Sequence, residues 1–227
     1  MRSLLSEVAD SEPGHRPARP AVAGLILAAG AATRLGEPKA AAVAHGSTFA
    51  AHVAKALRAG GISRLLAMVG VHEQDARQAL AGIDHVEFAT VHSAERGPIA
   101  SLAQGLEILA RDPRYSGVVV APVDHPSIQA ATVAALCQGA IVSGQPIVVP
   151  VFAGRRGHPT YFAREIWPEF AANDLIEGAR TVVRRSPARV HEVPVSDAGI
   201  LRNIDTPESL RLWRQSEQDM PESRFGR

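Results

Sequence analysis

Short apolar runs alternate along the chain with segments in which apolar residues recur every three or four positions. Gly24 to Ala29, Arg64 to Val71 and Gly117 to Val123 are almost wholly apolar and of strand length, the pattern of strands buried on both faces of a parallel sheet. Val86 to Thr90 reads as a shorter strand and Val190 to Val195 as an edge strand. Ile147 to Phe152, followed by a Gly-rich turn with Arg155 and Arg156, reads as one arm of a hairpin. Between these runs, Ser47 to Arg58 sets Phe49, Val53, Ala56 and Leu57 on one helical face, and Gly60-Gly61 stop it. Further helices are expected from Glu73 to Ala81, after Gly97-Pro98, from Ile128 to Ile141, up to Arg185, and after Thr206-Pro207-Glu208, where Leu210 and Trp213 continue an apolar face. Asp174 is expected to cap the helix that ends at Arg185. Strands alternating with helices of this length predict βαβ units, an α/β protein with a mostly parallel sheet rather than a sandwich.

Composition narrows this picture. The chain has 227 residues, 46% hydrophobic but only 4% aromatic, so its core is built from Ala, Val, Leu and Ile. That length suits one substantial domain. The expected division is a flexible tail over residues 1–20, one domain over 21–217 and a second tail over 218–227. A formal net charge of +1 gives no electrostatic case for nucleic acid or a membrane surface. No apolar run is long enough to span a bilayer, and Met1 to Pro20 lacks the apolar core of a signal peptide. Cys137 is the single cysteine. It rules out an intrachain disulfide or a cysteine zinc site, reads as a buried structural thiol, and suits the cytoplasm.

The chemistry gathers in two stretches. The first is Leu27-Ala28-Ala29-Gly30-Ala31-Ala32-Thr33-Arg34-Leu35-Gly36-Glu37-Pro38-Lys39. A loop after a parallel strand opens at the carboxyl edge, where open α/β sheets bind ligands. Gly30 and the neighbouring alanines allow close approach to the backbone. Arg34 can grip phosphate with a fork and Lys39 can neutralise it as a point charge. Only Lys39 and Lys55 among the 24 basic residues are lysines, so a lysine here is less incidental. Neither a Walker A loop nor the dinucleotide fingerprint fits: Gly36 is followed by Glu37-Pro38-Lys39, and Ala32 holds the second glycine position. The second stretch ends the Gly117 run at Asp124-His125-Pro126. A carboxylate at that edge, beside a phosphate loop, suits Mg²⁺, which takes one or two carboxylates plus phosphate oxygens and water. His125 reads by default as an exposed turn residue.

Leu-Ala-Ala-Gly, a few small residues, Arg-x-Gly-x-x-Lys, then Gly97 to Ser101, Asp124-x-Pro126, Gly157-His158-Pro159, Asp174 to Arg180 and Asn203-Ile204-Asp205-Thr206-Pro207 occur in order. This series resembles the MobA-like NTP transferase family, most of all its molybdenum cofactor cytidylyltransferase branch, over roughly Ala21 to Gln215. The chain departs from those relatives just before Gly97, where His92, Ser93, Glu95 and Arg96 stand in place of an Asn and an aromatic.

The resemblance implies a three-layer α/β/α Rossmann-like nucleotidyltransferase fold. It implies transfer of NMP, CMP from CTP, onto a phosphate acceptor such as molybdopterin, with release of pyrophosphate. The same chemistry on a sugar or polyol phosphate, or a non-catalytic nucleotide-binding partner of a molybdoenzyme, are the alternatives. By the same resemblance Arg34, Lys39 and Asp124 are catalytic, and Leu27, Ala28, Ala29, Gly30, Gly97, Pro98 and Ser101 bind the nucleotide. Gly157 and His158 line the acceptor side, with Arg155 and Arg156 as candidate cations. Mg²⁺ or Mn²⁺ would rest on Asp124 with Asp205 or Asn203. Alternation along an extended segment sets Asn203 and Asp205 on one face and Ile204 on the other.

Overall fold

The computed structural model describes residues 21–30, 34–91, 97–172 and 174–216. Both expected tails, Ala31 to Thr33, His92 to Arg96 and Asn173 lie outside these residues, as does the side chain of Pro98.

The expected alternation forms a layered α/β structure. In chain order the strands are β1 (Ala21–Ala28), β2 (Val43–Ala44), β3 (Ser47–Thr48), β4 (Arg64–Val69), β5 (Val86–Thr90), β6 (Tyr115–Pro122), β7 (Ile147–Phe152), β8 (Arg155–Arg156), β9 (Thr160–Ala163) and β10 (Val190–Pro194). The helices are α1 (Phe49–Ala59), α2 (Glu73–Ala79), α3 (Pro98–Ala110), α4 (Ala130–Ser143), α5 (Ala179–Arg185) and α6 (Pro207–Gln215), with a 3₁₀ segment over Arg164–Ala171. The main sheet runs β10-β7-β9-β6-β1-β4-β5, with β8 paired to β7. Strand β9 is antiparallel to both β6 and β7, and β8 is antiparallel to β7; the other pairs are parallel.

Alternation within the central strands explains two apolar layers. Ile26, Ala67, Val119 and Ala121 face one side and pack with Phe49, Val53 and Leu57 of α1 and with Val133 and Leu136 of α4. Leu25, Leu66, Met68, Val118 and Val120 face the other and pack with Leu102, Leu106 and Leu109 of α3 and with Trp167 and Phe170. From β1 the chain steps outward through β4 and β5, then crosses to β6 on the opposite side of β1. This reversal makes the β1/β6 boundary a topological switch point, and the crevice outside its carboxyl edge is where such sheets bind ligands.

Several boundaries differ from the sequence pattern. Ser47 and Thr48 do not begin α1; they pair with Val43 and Ala44 in a small ribbon, and the Thr48 side chain caps α1 by accepting from the Ala51 N–H. Asp174 does not cap α5. The cap residue is Gly178, and the Asp174 carboxylate pairs with Arg185 at 2.8 Å. The hairpin after β7 is tighter than expected: Arg155 and Arg156 are not in its turn but form β8, and the chain then re-enters the sheet as β9, wedged between β7 and β6. Cys137 is half-buried against the core, and burial pushes its thiol pKa up, which suits a structural thiol. Among the described residues no helix is long and apolar enough to cross a membrane.

Candidate functional site

Strands β1 and β6 run in parallel register, with Leu27 opposite Pro122, so their carboxyl ends open on the same edge. The Val123 N–H donates to the Leu27 carbonyl at 3.1 Å, carrying the pairing into the two loops. Leu27 is thereby committed to the sheet, as is buried Ala28, which ends β1 opposite Val69, while Ala29 leaves the strand and Gly30 is exposed. Leu35 and Ala40, each 4% exposed, anchor the following loop in the core. Between them the backbone turns, and the Ala41 and Ala42 N–H groups donate to the Pro38 carbonyl. This turn aims Lys39 inward and leaves Arg34 outside.

Lys39 Nζ lies 2.9 Å from Asp124 Oδ2, with both side chains about four-fifths shielded. The expected alternation of the returning segment also holds: Asn203 is exposed, Ile204 is buried and Asp205 is intermediate. The Ile204 N–H donates to the Asp124 carbonyl at 2.8 Å, which brings Asp205 beside Asp124 from 81 residues farther along the chain. Arg34 Nη2 meets Asp205 Oδ2 at 2.7 Å, the Arg34 side chain 72% exposed and Asp205 17%. The two expected cations and two expected carboxylates thus form two adjacent ion pairs. No group of three or more His, Cys, Asp or Glu placed to hold a metal ion occurs among the described residues.

Gly97 precedes α3 with φ 67°, Pro98 takes the first helical position, and Ser101 is buried in the first turns of α3. Gln104 Nε2 donates to the Thr90 carbonyl at 2.8 Å and ties α3 to the end of β5.

On the other side of Asp124, one correction stands out. His125 is not an exposed turn residue; it is 8% exposed. Its ring packs against that of His158 with centroids 4.7 Å apart. The Nδ1 atoms of both rings are enclosed and have no hydrogen-bond partner. Burial lowers the His125 pKa, the Asp124 charge opposes this, and Lys39 adds to it. Burial also drives His158 down to about 4, helped by His125 and Arg180 and opposed by Asp124. Both imidazoles are therefore neutral at pH 7. The His158 N–H donates to the Ile200 carbonyl at 3.0 Å, and Gly157 lies so close that an added Cβ would stand 2.3 Å from the same oxygen. Arg155 and Arg156 are exposed on the hairpin, and Arg156 pairs with Glu192.

One buried acid had no place among the expected site residues. Asp197, 2% exposed, accepts from the Gln129 N–H, the Thr132 hydroxyl and the Gly199 N–H. The local signal is Ser196-Asp197-Ala198-Gly199, an acid positioned to turn its own backbone; its partners on α4 carry no signal in the sequence.

The site is thus the crevice of an open α/β sheet with two cation–carboxylate pairs at its switch point. Residues 24–191 match the model of the MobA-like NTP transferase domain, and the chain belongs to that family. Nicotine blue oxidoreductase of Paenarthrobacter nicotinovorans is 29% identical over 84% of this chain and 95% of its own. A molybdenum cofactor guanylyltransferase of Rhizobium meliloti is 30% identical over 92% of this chain and 95% of its own. The crystal structure of Rv0371c from Mycobacterium tuberculosis is 29% identical, with a TM-score of 0.74 over 86% of this chain and 97% of that one. A second structure of Rv0371c, complexed with manganese, superposes with a TM-score of 0.68 at 25% identity over 86% of this chain and 98% of that one. The mostly parallel, mixed sheet is shared with solved nucleotidyltransferases.

Proposed function

We propose that this protein transfers CMP from CTP to the phosphate of molybdopterin and releases pyrophosphate. The observation that carries the reading is the Lys39–Asp124 pair at 2.9 Å, set beside Arg34–Asp205 at 2.7 Å on the edge where β1 and β6 diverge. Each cation there is held by a carboxylate, Lys39 mostly shielded and Arg34 largely in solvent. Triphosphate entering the crevice would draw Lys39 and Arg34 to its oxygens and free Asp124 and Asp205.

Two carboxylates fit a divalent ion that completes its shell with phosphate oxygens and water. Asp124 and Asp205 would hold it, with exposed Asn203 alongside; the manganese complex of the mycobacterial relative supports the presence of a divalent ion. Bound there, such an ion would supply neutralisation of phosphate charge.

The remaining work belongs to the chain. The base would rest against the Ala28-Ala29-Gly30 turn and the Gly97 to Ser101 helix start. A phosphate oxygen of the acceptor attacks the α-phosphorus in line; that P–O bond forms as the bond to the β-phosphate oxygen breaks, and pyrophosphate leaves with the electron pair. Lys39 and Arg34 offset the charge that grows on it. On the acceptor side, His158 and the Gly157 backbone form the wall, neutral and packed against His125.

By resemblance to the cytidylyltransferase branch, the Leu27-Ala28-Ala29-Gly30 run favours a pyrimidine. The Rhizobium relative, named a guanylyltransferase, supports GTP as the competing nucleotide. Incubation with each NTP, Mg²⁺ and molybdopterin, reading pyrophosphate and product mass, decides the matter. Cytosine dinucleotide product is expected. A guanine product would move the chain to the guanylyl reading, product only with a sugar or polyol phosphate would change the acceptor, and no pyrophosphate with any pair would remove the enzyme reading in favour of a nucleotide-binding partner of a molybdoenzyme.

A further inference from the structure

The buried carboxylate of Asp197 lies outside the residues that meet nucleotide or acceptor, yet it is held more completely than any acid in the crevice. Its Oδ2 accepts from the Gln129 N–H and the Thr132 hydroxyl, each at 2.8 Å. Its Oδ1 accepts from the Gly199 N–H at 2.8 Å. Among the described residues no ion pair involves it. A carboxylate 2% exposed and held by neutral donors is costly to bury, and it persists only where those donors are fixed.

What those donors join is informative. Gln129 and Thr132 form the start of α4, directly after the Asp124-His125-Pro126 turn. Gly199 begins the segment that returns to Asp124. From Asp197 the chain is pinned stepwise. Gly199 sits where an added Cβ would stand 2.2 Å from the Ser127 carbonyl. The Ile200 carbonyl accepts from the His158 N–H at 3.0 Å, and the Ile204 N–H donates to the Asp124 carbonyl at 2.8 Å. Asp205 then meets Arg34. One carboxylate therefore fastens both chain segments whose far ends carry Asp124 and Asp205.

We propose that Asp197 is a positioning residue of the transfer site, setting the register in which residues 198–205 return so that Asp205 arrives beside Asp124. This rests on the nucleotidyl-transfer reading for its kinetic consequence but not for its structural one. A role confined to the start of α4 would look different in three measurements on the intact chain.

The first is amide hydrogen exchange of Asp197→Asn, which keeps the size of the side chain but replaces an acceptor oxygen by a donor. Exchange is expected to quicken at His158 and Ile204 as well as at Gln129, while β1 and β6 stay protected. Quickening confined to residues 129–133 would overturn the proposal, whatever reaction the protein catalyses. The second is turnover below the melting transition. Asp197→Asn should lower kcat by about 10-fold or more, the usual scale for losing a group that orients a ligand residue, with KM for the nucleotide changed less than about three-fold. Thr132→Val, which leaves the carboxylate in place, should move kcat in the same direction by less, and it carries the test if Asp197→Asn does not fold. The third is a double variant. If Asp197 acts through Asp205, adding Asp197→Asn to Asp205→Asn costs little beyond Asp205→Asn alone; multiplicative losses would contradict the proposal. Absence of turnover in the wild-type protein would end the transfer reading while leaving the exchange result to decide the positioning role.

Discussion

Lys39 and Asp124, 85 residues apart in sequence, meet at 2.9 Å across the divergence of β1 and β6. The pair is mostly shielded, so its attraction is stronger than that of a surface pair, and each partner competes with ligand for the other.

That competition gives an opposite-signed pair of outcomes. Lys39→Met should slow NMP transfer by about 10²-fold or more, as loss of one preorganised charged donor does. In the nucleotide-free protein the same change leaves Asp124 without its cation and should tighten Mn²⁺ binding several-fold, read by the free-Mn²⁺ paramagnetic resonance signal. Unchanged or weaker Mn²⁺ binding would contradict the exchange of partners.

Arg34 forms the outer pair with most of its side chain in solvent. Exposed ion pairs contribute about 0–1 kcal/mol to stability. Arg34→Ala should therefore leave the thermal transition nearly in place while lowering transfer by about 10²-fold. Thermal unfolding and turnover on one preparation check both halves.

Gly157 tests the acceptor wall. Because a Cβ there would stand 2.3 Å from the backbone oxygen of Ile200, Gly157→Ala must push the returning segment away from His158 and thus from Asp124. Overpacking of this kind typically costs about 1–3 kcal/mol, and turnover should fall along with the transition temperature. A variant as stable and active as the parent would show that the segment moves freely.

His158 supplies a pH dependence of stability. Its ordinary pKa of 6.5 falls to about 4 in the folded protein, chiefly through burial. Between these values the unfolded chain binds a proton that the folded chain refuses. Stability from this group is thus complete above about pH 6.5 and is lost as the pH falls toward 4. Urea midpoints measured across that window should drop with acidification, and the slope should flatten in His158→Asn. Equal slopes in the two proteins would contradict the assignment.

How much of this was legible in the chain depended on how far apart the partners lie. The runs ending at Ala28 and Val123 announce themselves because both faces of β1 and β6 are buried, and Thr206-Pro207 announces α6 because a cap is a local device, completed here by Ser209. Lys39, Asp124 and Asp205 were readable as an ordered set, though not as ion pairs, since pairing is decided by a sheet register no local pattern encodes. A histidine in a proline turn is usually exposed; His125 is buried by the approach of His158, which precedes β9, and of the Ile200 backbone, neither of which a local pattern encodes. Asp174 failed as a cap for a similar reason, because Arg185, 11 residues farther along at the end of α5, offers a charged partner. Asp197 is legible as a local turn, but its hold on α4 spans 68 residues to Gln129.

The most direct measurement is pyrophosphate released from CTP in the presence of Mg²⁺ and molybdopterin, compared between the wild-type protein and Asp124→Ala. The wild-type protein should release pyrophosphate in step with a cytosine dinucleotide product, and Asp124→Ala should be slower by about 10²-fold or more while keeping its fold by circular dichroism. Equal release from the two proteins would contradict the role given to Asp124 and, with it, the site built around the Lys39 pair.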